Sequence, residues 1–313
     1  MNKKKLKIDI SIIIPIFKPN NSIKFLISTL LNNTVIPNEI ILINSGSNFQ
    51  LNSYYKNLSL LNKSVIYKKV NKLHPGTARN LGIKLSKSKY ITFFDVNTFP
   101  SFDWLEKSYN YLKKNNLKIL LGRRLTLANN YVKNIIKFST YGENSYISAT
   151  GTIILRSLIN ENNLYFLNTR AGEDIDWLSR LEIYKPIANK EIIYYHGLSD
   201  KFLFNINKWF TYSLAYSDIH KDLNHQKKIY FFLIIYSLIP LFIFEKNTIY
   251  IFFTINMIIY LFYFSILRPI RNSVLISNLF PLNWILISFW RIIFDISKLP
   301  GLLLGFLKLS IKK

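Results

Sequence analysis

The 313-residue chain has no cysteine, and only 17 acidic residues stand against 41 lysines and arginines. The first absence excludes disulfides and thiolate metal sites, so any metal must be held by oxygen or imidazole ligands. The second leaves a formal net charge of +24 and makes every carboxylate conspicuous. Long uncharged apolar runs are missing before Ile229 and dominate after it. This asymmetry predicts one catalytic-sized soluble domain, residues 1–215, followed by a membrane domain, residues 216–313.

The charge does not point to nucleic acid. Basic residues are scattered along the chain, with no clustered arm and no nucleic-acid motif. Lys, Asn, Ile, Phe and Tyr are abundant together, a bias that AT-rich codons alone produce. A basic surface facing anionic lipid fits better, since each juxtamembrane Lys or Arg contributes roughly 1 kcal/mol near such a surface. Membrane lipids are therefore the expected partner, and nucleic acid is not. The apolar stretch Ile10–Phe17 follows Asp9, contains Pro15 and has no small-residue cleavage site after it. It reads as a buried first strand rather than a signal peptide.

Strands are expected at 9–17, 39–44, 65–70, 90–95 and 118–121, where β-branched and aromatic residues run together and stop at Asn, Ser, Gly or Lys-Pro. Amphipathic stretches at 22–31, 77–85 and 101–114 read as helices between them. This alternation implies βαβ units and a mostly parallel sheet covered on both faces. Ligands of such sheets bind beyond the carboxyl ends of the strands. The polar residues ending two of these strands, Asn44–Ser47 and Asp95–Asn97, are thus expected to meet in one crevice.

Beyond a hinge-like stretch after Gly197, residues 229–244 and 248–267 are uncharged and separated by Glu245-Lys-Asn. Each is near the length needed to cross ~30 Å of hydrocarbon. Lys227 and Lys228 before the pair, with Arg268 and Arg271 after it, place the open ends and the N-terminal domain in the cytoplasm. Residues 272–310 form either a third span or interfacial amphipathic helices. No internal repeat is visible.

Each polar cluster is weak by itself. Gly46-Ser47 after a strand is ordinarily a turn, and Glu173-Asp174 suits the first turn of any helix. Their order carries more. The strand Ser11-Ile-Ile-Ile-Pro-Ile-Phe17 is followed by Glu39-Ile-Ile-Leu-Ile-Asn-Ser-Gly-Ser47 and by Gly76-Thr-Ala-Arg-Asn-Leu-Gly82. Then come Tyr90-Ile-Thr-Phe-Phe-Asp-Val-Asn97, Asp103-Trp-Leu-Glu106, Gly172-Glu-Asp-Ile-Asp-Trp-Leu-Ser-Arg180 and Tyr195-His196. Over about residues 9–210 this series resembles the family 2 glycosyltransferases. These have the α/β nucleotide-diphospho-sugar transferase (GT-A) fold.

The resemblance implies transfer of a sugar from a nucleotide-sugar donor with inversion, and the membrane hairpin with its basic flanks points to a lipid-linked or membrane-proximal glycan acceptor at the cytoplasmic face of the cell membrane. It assigns donor binding to Pro15, Phe17, Asn44, Ser45, Gly46, Ser47, Gly76, Arg79, Asn80 and Asp95. A structural salt bridge is the competing role for Arg79. Asp95 and Asn97 match the metal-binding Asp-x-Asp triplet, with His196 as a further ligand or a structural histidine. Mg²⁺ or Mn²⁺ there would neutralise charge on the departing nucleotide. Asp174 matches the base that deprotonates the acceptor hydroxyl, and Glu173 beside it is assigned to the catalytic pair, shaping the acceptor side. Trp177, Arg180, Lys208 and Trp209 are assigned to the acceptor side, although the spacing of Trp177 with Leu178 and Leu181 is equally a core pattern.

Two departures matter. Asn44-Ser45 replaces an acidic pair, and Asn97 replaces the second metal carboxylate. An amide oxygen can coordinate a cation but carries no charge, so metal affinity is expected to fall. Two other readings stay open: a catalytically silent scaffold, motivated by these substitutions, and a processive synthase, motivated by the partial Lys208-Trp209 match.

Overall fold

The computed structural model describes residues 5–17, 20–46, 49–219 and 246–311. The chain divides into two compact units, Met1–Leu127 with Ser145–Gly197, and Ala128–Asn144 with Leu198–Lys313.

The first unit is built on an eight-stranded sheet. Its strands are β1 (Lys7–Ile16), β2 (Ile36–Asn44), β3 (Val65–Lys69), β4 (Tyr90–Phe93), β5 (Thr98–Phe99), β6 (Ile119–Thr126), β7 (Tyr146–Leu155) and β8 (Ile187–Tyr195). They lie in the order β3-β2-β1-β4-β7-β6-β8-β5. β1, β2, β3 and β4 pair in parallel. β7 runs antiparallel between β4 and β6, and β8 returns parallel to β6. This is the GT-A type of α/β architecture, with a mixed sheet in which the first half is parallel.

Period-two alternation along the Ile-rich strands supplies both faces of the sheet. Ile10, Ile12, Ile14 and Ile16 join Ile40 and Leu42 in one core cluster, while Ile13, Ile41 and Ile43 join the opposite one. The first face is covered by α1 (Ser22–Leu31) through Ile23, Leu26 and Leu30, by α2 (Phe49–Leu61) through Tyr55, and by α4 (Trp104–Lys114) through Trp104 and Leu105. The second is covered by α3 (Pro75–Leu85) through Ala78 and Ile83, by α6 (Arg156–Glu161), and by α7 (Glu173–Leu181) through Trp177 and Leu181. Each fully buried aliphatic side chain contributes about 1.5–3 kcal/mol, which is why these runs fold as interior strands.

The helix α5 (Tyr131–Thr140), inserted between β6 and β7, belongs to the second unit. So does α8 (Phe202–Ile219), and the domain boundary expected at residue 215 falls inside this helix. Ile135 and Ile136 of α5 pack with Leu198, Leu279, Ile287, Trp290 and Phe294. The helix α9 (Lys246–Phe262) starts within the polar turn expected at 245–247 and runs through a π-helical turn, Tyr263–Leu267, to Arg271. Among the described residues one helix, Thr248–Arg271, is long and apolar enough to cross a membrane. The span expected at 229–244 lies outside the described residues. The last helix, α10 (Asn283–Ile311), carries a charged cluster in which Arg291 and Lys298 both bond Asp295.

Candidate active site

In this sheet β1 has β2 on one side and β4 on the other, so the chain switches direction between β1 and β4. In open α/β sheets ligands bind at such a switch point, beyond the carboxyl ends of the strands. Phe94 donates its backbone N–H to Ile13 O at 3.0 Å, which sets Asp95 just past the end of β4. Its loop is closed locally: Asp95 N donates to Thr98 Oγ1, and Thr98 Oγ1 donates to Asp95 O.

Arg79 organises the site. Pro75 at the first position of α3 fixes the helix start, and one turn later the Arg79 side chain is 6% exposed. Its Nη2 donates to Asp95 Oδ1 at 2.8 Å and its Nη1 to Glu173 Oε1 at 2.8 Å. The guanidinium also lies 5.2 Å from the Phe166 ring centroid. Burial alone lowers an arginine pKa, but the charges of Asp95, Glu173 and Asp174 outweigh it and hold this one above its ordinary value. Asp174 therefore lies within Coulombic reach of the group that binds Asp95. Gly172, with φ +81°, turns the chain into α7, a conformation that favours glycine. The acids Glu173, Asp174 and Asp176 then fill the positive end of that helix.

The Asp95 carboxylate has further partners. Thr150 Oγ1 donates to Oδ2 at 2.8 Å, and Arg124 Nη1 approaches Oδ2 at 3.4 Å. Burial pushes this carboxyl up, but the Arg79 and Arg124 guanidiniums and the Thr150 hydroxyl together hold it below the usual carboxylate range. Burial and the Asp174 charge raise Glu173, with Arg79 opposing them. Arg124 itself is fixed by Tyr146, whose hydroxyl accepts from Nε at 2.8 Å, and by the Tyr146 and Tyr195 rings at 5.1 and 4.7 Å. Neither Arg124 nor Thr150 was visible as a site residue in the sequence.

The remaining expected residues fall into groups. Pro15, Phe17, Ser45 and Gly46 cluster at the ends of β1 and β2, where Ser45 N donates to Ile16 O and Arg170 stacks over Phe17 at 4.9 Å. Asn44 is fully buried: it donates to Asn52 and Tyr67, and accepts from Gly46 N at 2.9 Å. Its amide shapes the loop from inside rather than facing a ligand. Ser47 lies outside the described residues. Gly76 sits where a Cβ would come within 2.4 Å of Leu167 O and 3.1 Å of Glu173 Cγ, so α3 can approach α7 closely only with glycine there.

Asn80 is a bracket, its amide both donating to Phe166 O and accepting from Phe166 N at 2.8 Å. Trp177 is a correction: it is fully buried, donates to Leu164 O and stacks on Phe166 at 4.6 Å, so its ring offers no surface to an acceptor. Arg180 is tied to Asp176 and Tyr165 O. Lys208 and Trp209 belong to the other unit, where Trp209 packs on Phe294 at 5.2 Å with Lys298 4.5 Å from its ring centroid. His196 packs edge-on against Phe99, at 5.3 Å, and its backbone N–H donates to Asn97 O. Phe99, His196, Phe25 and Tyr194 line an open, largely apolar groove; Asp95 is not among its walls.

The set expected to hold a divalent cation does not fit one. Both Asp95 oxygens already accept from cationic or hydroxyl donors, and Asn97 Oδ1 accepts from Asn20 Nδ2 at 3.0 Å. No group of three or more His, Asp or Glu positioned to hold a metal occurs among the described residues.

A GT-A sheet with an Asp-x-Asn loop, a buried arginine and an acidic helix start at its switch point defines a sugar-nucleotide transferase class of fold. Residues 11–160 match the model of the family described as "Glycosyl transferase family 2", so this segment of the chain is a domain of that family. It is 34% identical over 120 residues to a poly(ribitol-phosphate) beta-glucosyltransferase of Bacillus spizizenii, covering 36% of this chain and 19% of that one. To an uncharacterized glycosyltransferase of Haemophilus influenzae it is 25% identical over 243 residues, covering 72% of this chain and 94% of that one. Two of the curated relatives are matched over only 26% and 19% of their own length. Among solved structures, S. aureus TarS 1-349 in complex with UDP-GlcNAc is 15% identical, covers 92% of this chain and 91% of that one, and has a TM-score of 0.49.

Proposed function

We propose that this chain is an inverting glycosyltransferase that moves a sugar from a nucleotide-sugar donor to a lipid-linked or membrane-proximal glycan of the cell surface. One observation carries the reading. A single buried guanidinium, Arg79, joins Asp95 of the loop after β4 to Glu173 at the start of α7, which supports a donor loop and an Asp174-bearing helix start that act side by side. In this reading Asp174 is the base, and Glu173 is a positioning residue that fixes Arg79. The donor lies across the ends of β1, β2 and β4, with Gly46 and the α3 N-terminus against its phosphates. The acceptor hydroxyl enters from the α7 side, loses its proton to Asp174 and attacks the anomeric carbon.

The family domain supports the transferase class. The acceptor class draws on relatives named as poly(ribitol-phosphate) glycosyltransferases. The apolar helix Thr248–Arg271 supports a membrane tether, with the sheet domain on the cytoplasmic side, and tethering raises the effective concentration of a membrane-bound acceptor. The test is a panel of labelled nucleotide sugars incubated with the purified chain and membrane extract, read by mass spectrometry of the lipid fraction. Transfer of one sugar is the expected result. A panel that yields neither transfer nor donor hydrolysis identifies a silent scaffold instead, and long polymers identify a processive synthase.

A further inference from the structure

Enzymes of this family commonly place a divalent cation on the donor diphosphate, yet the residues expected to hold one here are committed elsewhere. Asp95 is the sole carboxylate of the triplet, and each of its oxygens faces a guanidinium. Asn97 contributes an uncharged oxygen already bonded to Asn20. A cation would have to displace Arg124 and approach Arg79, which its ion pairs with Asp95 and with the buried Glu173 hold in place. What the site has in surplus is fixed positive charge.

We propose that Arg124 takes the place of the metal, neutralising the nucleoside diphosphate as it departs, so that donor binding and transfer proceed without a divalent cation. The proposal rests on the transferase reading above. Four features single out Arg124 rather than Arg79. Its contact with Asp95 is long, 3.4 Å against 2.8 Å, so this arm yields more readily to a phosphate. Its side chain is 15% exposed, where that of Arg79 is 6%. It stands near the end of β6, which shares its direction with β4 and β8 and so opens on the same edge of the sheet as Asp95. The Tyr146 hydroxyl and the Tyr146 and Tyr195 rings hold its plane before any ligand arrives. A guanidinium is charged at all working pH values and meets phosphate oxygens with a two-pronged planar fork.

The step balances without a metal. The acceptor oxygen forms a bond to the anomeric carbon as the bond from that carbon to the terminal phosphate oxygen breaks. The electron pair of the broken bond stays on the phosphate, which gains one negative charge, and the hydroxyl proton passes to the Asp174 carboxylate. Arg124 faces the charge that develops on the phosphate, the position where a pre-oriented donor lowers the barrier most.

Nucleoside diphosphates (UDP, GDP, CDP and dTDP) titrated calorimetrically into the full chain in lipid nanodiscs test this, in excess EDTA and in Mn²⁺. The expected result is one diphosphate binding with affinities that agree within about twofold in the two media. Arg124→Gln should weaken it about tenfold or more in both media, and Arg124→Lys should fall between. Melting curves establish that each variant is folded, and the wild-type comparison needs no variant. Wild-type binding only in Mn²⁺, or undiminished binding by folded Arg124→Gln, overturns the proposal and leaves the transferase reading standing. Failure of all four diphosphates in both media overturns both.

Discussion

Arg79 Nη1 lies 2.8 Å from Glu173 Oε1 although 94 residues separate them in the chain, and both side chains are buried. The pair fastens α3 to α7 directly under the donor loop. Arg79→Met leaves Glu173 buried without its counter-charge and removes one arm from Asp95. Breaking a buried pair on one side costs about 3–5 kcal/mol, and the Asp95 arm adds little because that side chain is 29% exposed. Urea denaturation should show a loss of this size for Arg79→Met, much of it recovered in Arg79→Met/Glu173→Gln. A loss below about 1 kcal/mol would mean that the pair fastens nothing.

Trp177→Ala is expected to destabilise the protein by about 3–5 kcal/mol, since the ring is fully enclosed between Phe93 and Phe166. In the folded fraction, donor affinity should be unchanged. A variant that keeps its stability but loses acceptor affinity would return Trp177 to the acceptor side.

Asn80→Ala removes both amide bonds to the Phe166 backbone. The Phe166 N–H and carbonyl are left without these partners, at about 1–3 kcal/mol. Hydrogen exchange at the Phe166 amide should accelerate accordingly. Exchange at the wild-type rate would show that this bracket does not persist in solution.

Burial lowers the His196 pKa below 6.5. For a histidine depressed in the folded state, the stabilising contribution is complete above the unfolded pKa and is lost as pH falls through the folded one. The His196 ring resonances, assigned with His196→Asn, should therefore titrate with a midpoint below 6.5. A midpoint at or above that value would place the ring in open solvent or beside an acid.

The sequence announced the parallel half of the sheet because its strands are uninterrupted apolar runs stopped by polar turn residues. β7 went unseen because its centre, Ser148 to Thr152, is polar yet buried. Thr152 Oγ1 donates to Ser148 O and accepts from Gly122 N, while Thr150 serves Asp95, and such pairing is invisible to hydrophobic periodicity. The strand expected at 118–121 stops at Gly122 in the sequence reading. β6 continues to Thr126 by pairing with β8, with Arg124 held by Tyr146. Arg124 escaped notice for the same reason: its role depends on Asp95, 29 residues earlier. Asn44 and Asn80, assigned to the ligand by motif, are bonded within the protein, Asn44 to Asn52, Tyr67 and Gly46 N and Asn80 to the Phe166 backbone, a distinction only partner geometry makes.

The central claim is that Asp174 removes the acceptor proton at a site whose donor-binding parts are independent of it. Asp174→Asn tests it most directly, with single-turnover transfer and nucleoside diphosphate affinity measured on the same preparation. The account predicts a fall in transfer of about 10²–10⁴-fold with diphosphate affinity held within about twofold. Transfer at the wild-type rate by Asp174→Asn would contradict it.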